Sequence, residues 1–189
     1  MALLGLRNFA VRLAVAVLTA SVVHADADAS VMDEYQVKAA FLYNFTKFVE
    51  WPPDLFESSD SPFGVCVLGQ NLFGHALHEA ARGKTVNGRM VVVYGIPDAR
   101  AASRCQILFV SASERKRFGA ILGELRTGGV LTVGETEGFI EAGGIINLKL
   151  DGGKIQIQIN INAAEQAGLR ISSKLLSLAQ IIRKPAQVK

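Results

Sequence analysis

The sequence has little of the residue types that catalysis and nucleic-acid binding usually need. It contains three histidines and two cysteines in 189 residues, and no Gly-x-Ser-x-Gly turn for a hydrolase nucleophile. Gly69 and Gly74 have the spacing of a phosphate loop, but His75-Ala76 stands where Lys-Ser/Thr must follow. The motifs therefore predict no catalytic residues and no cofactor.

The sequence also has little excess of charge of one sign. The chain has 20 Lys and Arg against 17 Asp and Glu, and two of the cations, Arg7 and Arg12, lie near the start. Without those two the balance is 18 against 17, so no basic surplus is left to favour nucleic acid. We therefore expect no nucleic-acid partner.

The N-terminus has the pattern of a secretory signal peptide. Arg7 and Arg12 precede an apolar run from Leu13 to Val23, which is about half of the roughly 20 residues that span a bilayer. Ala25 ends a small-x-small cleavage pattern. We predict a signal peptide over residues 1–25 and export to a bacterial periplasm, with an uncleaved anchor or a buried helix as the alternative.

The rest of the chain, residues 26–189, is long enough for one domain with a real core. It keeps two cysteines, Cys66 and Cys105. In an oxidising compartment such a pair predicts a disulfide. Two buried free thiols are the alternative.

Short apolar runs alternate with helical segments along this domain. The predicted elements are a helix over 32–49, a strand over 63–68, a helix over 72–81, strands over 90–94 and 106–110, a helix over 113–126 capped by Ser113, and a strand over 130–133. Continuous apolar strands are typical of a sheet buried on both faces. The alternation predicts an α/β layered domain with a mostly parallel, mixed central sheet flanked by helices.

The C-terminal part reads differently. Runs over 145–150 and 155–161 flank Asp151-Gly152-Gly153, which predicts a β-hairpin. Asn162 is predicted to cap a short helix through Ala167. Ser172 or Ser173 is predicted to cap a final helix that runs to Arg183.

The first predicted helix is rich in aromatic residues. Val37, Phe41, Phe45 and Phe48 recur at helical spacing and predict one apolar stripe. Such stripes usually face the core, but Tyr43 and Trp51 lie off this one, and aromatic residues with a polar tip are favoured at interfaces. We predict a partner or dimer interface at Tyr43, Phe48 and Trp51.

The sequence contains candidate residues for two kinds of small-ligand site. Arg170 lies just before a helix start at Ser172-Ser173-Lys174, and helix N-terminal amides with cations favour a carboxylate or phosphate. These four residues form a candidate anion site, with a solvent-facing or ion-paired Arg170 as the alternative. His75 and His78 could supply two metal ligands, but the spacing suggests no third, so no metal site is predicted.

Three stretches of the sequence resemble the YfiR/HmsC-like family of periplasmic proteins. The resemblance lies in Val37-Lys38-Ala39-Ala40-Phe41-Leu42-Tyr43-Asn44-Phe45-Thr46-Lys47-Phe48-Val49-Glu50-Trp51-Pro52, in Val130-Leu131-Thr132-Val133 with Gly138-Phe139 and Gly143-Gly144, and in Ile159-Asn160 with 167–176 and Leu178-Ala179. Together these stretches span most of the predicted mature chain.

The resemblance implies an α/β domain that can form a homodimer. It also implies a repressor that binds the periplasmic sensory part of an inner-membrane diguanylate cyclase and lowers cyclic di-GMP signalling, and with it biofilm formation. A Pal-like outer-membrane lipoprotein is the implied partner that sequesters the repressor. Cys66 and Cys105 match one cysteine pair of the family, whereas Ile140 and Asn147 stand near the place of a second pair that some members have.

The sequence therefore predicts a non-enzymatic periplasmic regulator that acts by binding a partner. The alternative is a periplasmic sensor that binds a small anion through Arg170.

Overall fold

The computed structural model describes residues 22–125 and 128–183, with side chains from residue 30 onward. The helices are α1 (Val22–Phe48), α2 (Ala76–Ala81), α3 (Phe118–Glu124), α4 (Ile161–Gln166) and α5 (Ser173–Leu176). The strands are β1 (Val49–Glu50), β2 (Phe63–Leu68), β3 (Thr85–Val86), β4 (Arg89–Ile96), β5 (Ile107–Val110), β6 (Leu131–Gly134), β7 (Ile146–Asp151), β8 (Lys154–Asn160), β9 (Arg170–Ile171) and β10 (Gln180–Ile182). Short 3₁₀ turns are found at Pro53–Leu55, Ala99–Arg104 and Ala112–Arg117.

Eight strands form the central sheet in the order β10-β8-β7-β6-β5-β2-β4-β3. The pairs from β4 through β2, β5 and β6 to β7 are parallel, as is β8 with β10, whereas β7–β8 and β3–β4 are antiparallel. The strands β1 and β9 form a separate antiparallel pair. The predicted α/β class with a mostly parallel, mixed sheet is confirmed.

The strands β2, β5 and β6 are buried along their whole length. Their side chains alternate between two apolar clusters, so that Val65 and Val67 join one cluster while Cys66 and Leu68 join the other. The first cluster lies beneath α1 and the second includes α3 residues. Burial on both faces explains why these strands read as continuous apolar runs.

The first helix packs on the core with most of the stripe that the aromatic spacing predicts, but not with Val37. Leu42 and Phe45 are at most 1% exposed, but Val37 is 47% exposed and Phe41 and Phe48 are half-buried. The predicted stripe is therefore confirmed at Phe45, which is buried, and at Phe41 and Phe48, which pack against the first apolar cluster, and it is wrong at Val37. The spacing of large apolar residues misled because Tyr35 and Lys38, two residues with polar ends, occupy part of the buried face.

The predicted hairpin is confirmed, and it extends beyond the parallel sheet. Gly134, the last residue of β6, pairs with Asn147, and β7 continues for four more residues past that point. The strand β8 returns alongside it in antiparallel register. The hairpin arm thus projects from the edge where the parallel strands have their carboxyl ends.

Two predicted helix caps lie two residues too late in the sequence. Ser111, and not Ser113, accepts a hydrogen bond at the start of the 3₁₀ turn before α3. Asn160, and not Asn162, caps α4 through a hydrogen bond from the Ala163 amide to its side-chain oxygen. Each cap directly follows or ends a strand, so the chain turns as soon as the strand ends.

The predicted final helix to Arg183 is wrong beyond Leu176. Ser172 caps α5, as predicted, but this helix ends after four residues. The segment Gln180–Ile182 is instead the strand β10, parallel to β8. The edge of β8 that faces away from β7 pairs with this strand, and the half-buried Ile181 packs against the first apolar cluster.

Candidate functional site

A cluster of charged and polar groups lies at the carboxyl edge of the parallel strands. Glu135 directly follows β6, and its side chain is 3% exposed. One of its oxygens accepts hydrogen bonds from the Lys38 ammonium at 2.6 Å and the Tyr35 hydroxyl at 2.8 Å. The other accepts one from the Ala112 amide, just after β5, at 2.9 Å. Glu135 therefore links α1 to the ends of two strands.

Lys38 is the cation of this cluster. Its side chain is 3% exposed and forms ion pairs with Glu34, one helical turn earlier, and with Glu135. Its ammonium also lies 4.5 Å from the centre of the Tyr35 ring. Two carboxylates and an aromatic face compensate for the loss of water around this buried charge.

Tyr35 is the neutral donor in the cluster. Burial, and then the hydrogen bond to the Glu135 carboxylate, raise the pKa of its hydroxyl above the ordinary value. The ring packs edge-on against Phe73, with 5.2 Å between ring centres. The hydroxyl therefore stays protonated and holds the carboxylate in place.

In open α/β sheets, ligands usually bind outside the carboxyl ends of the strands, where the strand order reverses. Here the reversal lies between β2 and β5. The chain leaves β2 to form β4 on one side of it and then returns to form β5 on the other side. The loops at this point are in contact: the Gln70 amide donates to the Ser113 hydroxyl at 2.9 Å. Gly69 has a φ of +91°, and a Cβ there would lie 2.5 Å from Ser113 Oγ. The chain thus fills this part of its own crevice.

An apolar groove lies beside the polar cluster, between α1 and the hairpin arm. Its volume is about 540 Å³, within the usual range of binding pockets. It is lined on the helix side by Ser30, Asp33, Glu34, Val37 and Phe41 and on the hairpin side by Leu150, Gly153, Lys154 and Ile155. We call this the helix–hairpin groove. It is a candidate binding site within the described part of the chain.

The sequence reasoning missed both the polar cluster and the groove. Lys38 and Glu135 are 97 positions apart, so only the fold brings them together. The available signal was Glu135 directly after a buried strand, together with Glu34 and Lys38 at a spacing of four. The groove has no sequence motif, because its two walls come from elements that are far apart in the sequence.

The two cysteines form the predicted disulfide. Cys66 lies on β2 and Cys105 just before β5, with their Cα atoms 5.7 Å apart. Both are at most 2% exposed. The bond therefore lies in the second apolar cluster, where a reductant in solution has little access.

The predicted anion site has a different set of contacts. Arg170 is 86% exposed on β9, and its guanidinium lies 3.7 Å from the Glu50 carboxylate on β1. The Ser172 hydroxyl accepts from the Leu175 amide as a helix cap, while Ser173 and Lys174 begin the four-residue α5. Anion binding at these residues stays a prediction.

The predicted interface residues are partly used within the chain. The Trp51 indole donates to the Gln106 carbonyl at 3.1 Å and packs edge-on against Phe63. Phe48 is half-buried against the first apolar cluster. Tyr43 is half-buried too, with the Lys47 ammonium 4.5 Å from its ring centre. Their role as an interface stays a prediction.

His75 and His78 lie at the start of α2 and within it. Across the described residues, no group of three or more metal-ligating side chains is brought together. In the same part of the chain, no helix is both long and apolar enough to cross a bilayer.

Comparison with known proteins gives one family. The model of a family described as YfiR/HmsC-like matches residues 35–180. This range includes both sides of the disulfide, all of the polar cluster except Glu34, and both ends of the hairpin. A search of curated proteins gave no significant match.

Solved structures share the fold at low sequence identity. The ABC domain from Streptococcus pneumonia, crystallised with L-Trp, is 13% identical, with a TM-score of 0.54 over 76% of this chain and 60% of that one. A conserved domain protein from Vibrio cholerae O1 biovar eltor is 15% identical, with a TM-score of 0.50 over 64% of this chain and 54% of that one. The chain thus spans little more than half the length of either structure, and at these identities the likeness shows the fold alone.

Proposed function

The chain belongs to the YfiR/HmsC-like family, and from this membership we propose that it represses an inner-membrane diguanylate cyclase by binding the cyclase's periplasmic sensory part. The observation that carries the proposal is the family match over residues 35–180. Members of this family are known as periplasmic regulators of diguanylate cyclases. In this proposal the chain is a binding protein and not an enzyme.

Binding alone is sufficient for repression. A protein that binds the inactive conformation of the cyclase more tightly than the active one shifts the population toward the inactive form. A tenfold difference between the two affinities provides about 1.4 kcal/mol. The repressor therefore needs a surface that fits one conformation, and no chemical step.

The carboxyl edge of the sheet supports a binding role over a catalytic one. Glu135 is the buried carboxylate at this edge, and it is already held by Tyr35, Lys38 and the Ala112 amide. A general base has to reach a substrate proton directly or through one water. The contacts of Glu135 instead stabilise the position of α1, which forms one wall of the helix–hairpin groove.

The buried disulfide supports the proposed compartment. Disulfides persist in the periplasm and are rare in a reducing cytosol. Export through residues 1–25 would place the chain on the same side of the inner membrane as the sensory part of the cyclase. The signal peptide falls mostly outside the described residues, and its cleavage stays a prediction.

The experiment that tests the proposal is a deletion of the gene in the organism that encodes it. Cellular cyclic di-GMP, measured by mass spectrometry, should rise by severalfold and return to the starting level when the gene is restored. Deleting the target cyclase as well should abolish the rise. A variant that lacks residues 1–25 is the control, since it cannot meet the cyclase in the periplasm.

Two results would contradict the proposal. One is an unchanged cyclic di-GMP level in the deletion strain under conditions in which the cyclase is expressed. The other is full repression by the variant that lacks residues 1–25. A Pal-like lipoprotein that sequesters the repressor should raise cyclic di-GMP when overproduced, and should have no such effect in the deletion strain.

A further inference from the structure

The outer edge of β4 is open along most of its length. Its inner edge pairs with β2 over residues 91–96. On the outer side, β3 pairs with β4 only at Arg89 and Met90. The Val91 amide then donates to the Lys84 carbonyl, just before β3 begins, and among the described residues no strand pairs with this side of β4 beyond that point.

The hydrogen bond of Val91 fixes which backbone groups face outward. The N–H and C=O groups of one strand residue point to the same side, and the side alternates from residue to residue. Because the Val91 amide points away from β2, the backbone groups of Val93 and Gly95 do so too. Gly95 is exposed, and a Cβ placed there meets no atom within 4 Å. The edge therefore presents two donors and two acceptors to open space.

The open run has no residue that discourages pairing. Natural sheet edges are usually protected by charged residues or proline on the strand. Residues 91–96 read Val-Val-Val-Tyr-Gly-Ile and contain neither. β-branched and aromatic side chains favour strand pairing, and Val92 and Tyr94 are only half-buried here. This edge therefore suits the addition of a strand from outside.

Two exposed cations flank the open edge. Lys84 lies beside Val91, whose amide its carbonyl accepts. The Arg104 guanidinium lies 5.5 Å from the centre of the Tyr94 ring on β4. In the part of the chain that the structure describes, neither cation forms an ion pair. Two unpaired cations next to free backbone groups favour an acidic occupant.

Neighbouring acids are already paired with other cations. Asp98, just after β4, lies 3.0 Å from Arg100, which also interacts with Glu124. Glu79 on α2 forms an ion pair with Arg82. These carboxylates therefore do not neutralise the two cations that flank the edge.

We propose that β4 accepts an extended acidic segment of another protein as an added strand. Val93 and Gly95 form the backbone hydrogen bonds, and Lys84 and Arg104 pair with acidic side chains of the segment. In strand addition the main-chain hydrogen bonds provide affinity and the side chains provide specificity. The inference names the kind of segment and does not depend on the cyclase, so it can fail while the proposed repression holds.

Other occupants fit this edge less well. A second copy of the chain brings the same cations to the same edge, and like charges on neighbouring strands are destabilising. The C-terminal residues 184–189 contain Lys184 and Lys189 and no acid. Charge therefore favours a segment of a different protein.

The test begins with random peptides of about 12 residues, long enough to lie along the strand, displayed on phage. They are selected against the full chain, exported and purified. We expect enrichment of sequences that contain Asp or Glu and alternate apolar with polar residues. The same selection against the double variant Lys84→Glu/Arg104→Glu should lose the preference for acids.

Hydrogen exchange locates the bound peptide. At saturation, an enriched peptide should slow exchange of the Val93 and Gly95 amides by at least about tenfold, because both amides gain an acceptor. The amides of Val92 and Tyr94 point toward β2 and serve as the internal reference.

Substitutions at one glycine test the backbone contact. Gly95→Pro removes an outward amide and should weaken peptide binding by at least about tenfold in calorimetry. Gly95→Ala keeps the amide and places its methyl group in open space, so it should bind like the wild type. Arg104→Glu should also weaken binding, whereas Lys154→Glu, an exposed change on β8, should not. If Gly95→Pro does not fold, Arg104→Glu and the exchange measurement decide.

Three results would overturn the inference. One is a selection that enriches no sequence, or only basic ones. Another is an enriched peptide that protects amides elsewhere, such as those lining the helix–hairpin groove, and leaves Val93 and Gly95 unchanged. The third is protection of these two amides without peptide that increases with protein concentration, which would assign the edge to a second copy.

Discussion

Tyr35, on the first helix, should make the stability of the protein depend on pH in alkali. Its buried hydroxyl donates to Glu135, and both burial and this carboxylate raise the pKa of the folded-state hydroxyl. In the unfolded chain a tyrosine hydroxyl has a pKa of about 10. The unfolded state therefore loses this proton first as the pH rises, so the contribution of Tyr35 to stability is complete below pH 10 and declines above it.

Replacing Tyr35 with phenylalanine should make the stability curve shallower in alkali. At pH 7 the variant loses a hydrogen bond to a charged acceptor, which lowers the free energy of unfolding by about 1.5–3 kcal/mol. Above pH 10 the difference from the wild type should shrink. Urea unfolding between pH 7 and pH 11 measures both effects, and parallel curves for the two proteins would contradict this account.

Replacing Lys38 should lower stability more than replacing Tyr35. In Lys38→Met the buried carboxylate of Glu135 loses its cation, and removing one member of a buried ion pair usually lowers stability by about 3–5 kcal/mol. The double variant Lys38→Met/Glu135→Gln should recover part of this loss. The same change at Lys47, an exposed lysine on the same helix, should alter the free energy of unfolding by less than about 0.5 kcal/mol. Equal effects at the two lysines would rule out a structural role for the cluster.

The face that α1 presents to the sheet decides which substitutions the helix tolerates. Leu42 is fully buried, so Leu42→Ala should lower the free energy of unfolding by about 2–5 kcal/mol. Val37 lines the helix–hairpin groove and is 47% exposed, so Val37→Ala should change the free energy of unfolding by less than about 0.5 kcal/mol. Thermal or urea unfolding of a monomeric sample distinguishes these outcomes. A larger loss for Val37 would restore the stripe that the sequence predicts.

Elements stabilised by burial on both faces could be predicted from the sequence, and elements that depend on distant partners could not. The strand Phe63–Leu68 has the predicted bounds because its apolar run is long and is set off by polar residues and glycine. Gln180–Ile182 was predicted as helix because its pairing with β8 is invisible in a local window. The aromatic spacing of α1 identified the helix and three of the residues that pack on the core, but it placed Val37 on the wrong face.

The candidate site shows the same limit. The disulfide could be predicted because two cysteines in a chain that is predicted to be exported leave few alternatives. The Lys38–Glu135 pair and the helix–hairpin groove join residues about a hundred positions apart. A single sequence contains no record of such contacts. At the scale of the element, the projecting hairpin forms one wall of the groove, whereas the Lys38–Glu135 pair joins α1 to the residue that follows β6.

The disulfide links the stability of the whole molecule to the redox state of its surroundings. The Cys66–Cys105 bond closes a loop with a sequence separation of 39, which stabilises the fold by about 4 kcal/mol in the chain-entropy model. A domain of this size is usually stable by about 5–15 kcal/mol, so this one bond is a large fraction of the total. Under the proposed export, the arrival of the chain in the periplasm and its folding stability are therefore coupled.

A variant that lacks residues 1–25 should show this coupling directly. Retained in the cytosol, it should keep both thiols reduced, react with two equivalents of an alkylating reagent after unfolding, and unfold at a urea concentration well below that of the exported protein. Cys66→Ala/Cys105→Ala, exported normally, should lose about the same stability while remaining in the periplasm. The two variants separate the effect of the bond from the effect of location.

If the exported double variant still represses the cyclase and the retained chain does not, the disulfide is needed for stability and the compartment is needed for function. If neither represses, the bond is needed to hold β2 and β5 in the arrangement that positions the carboxyl edge, the first helix and the groove between helix and hairpin.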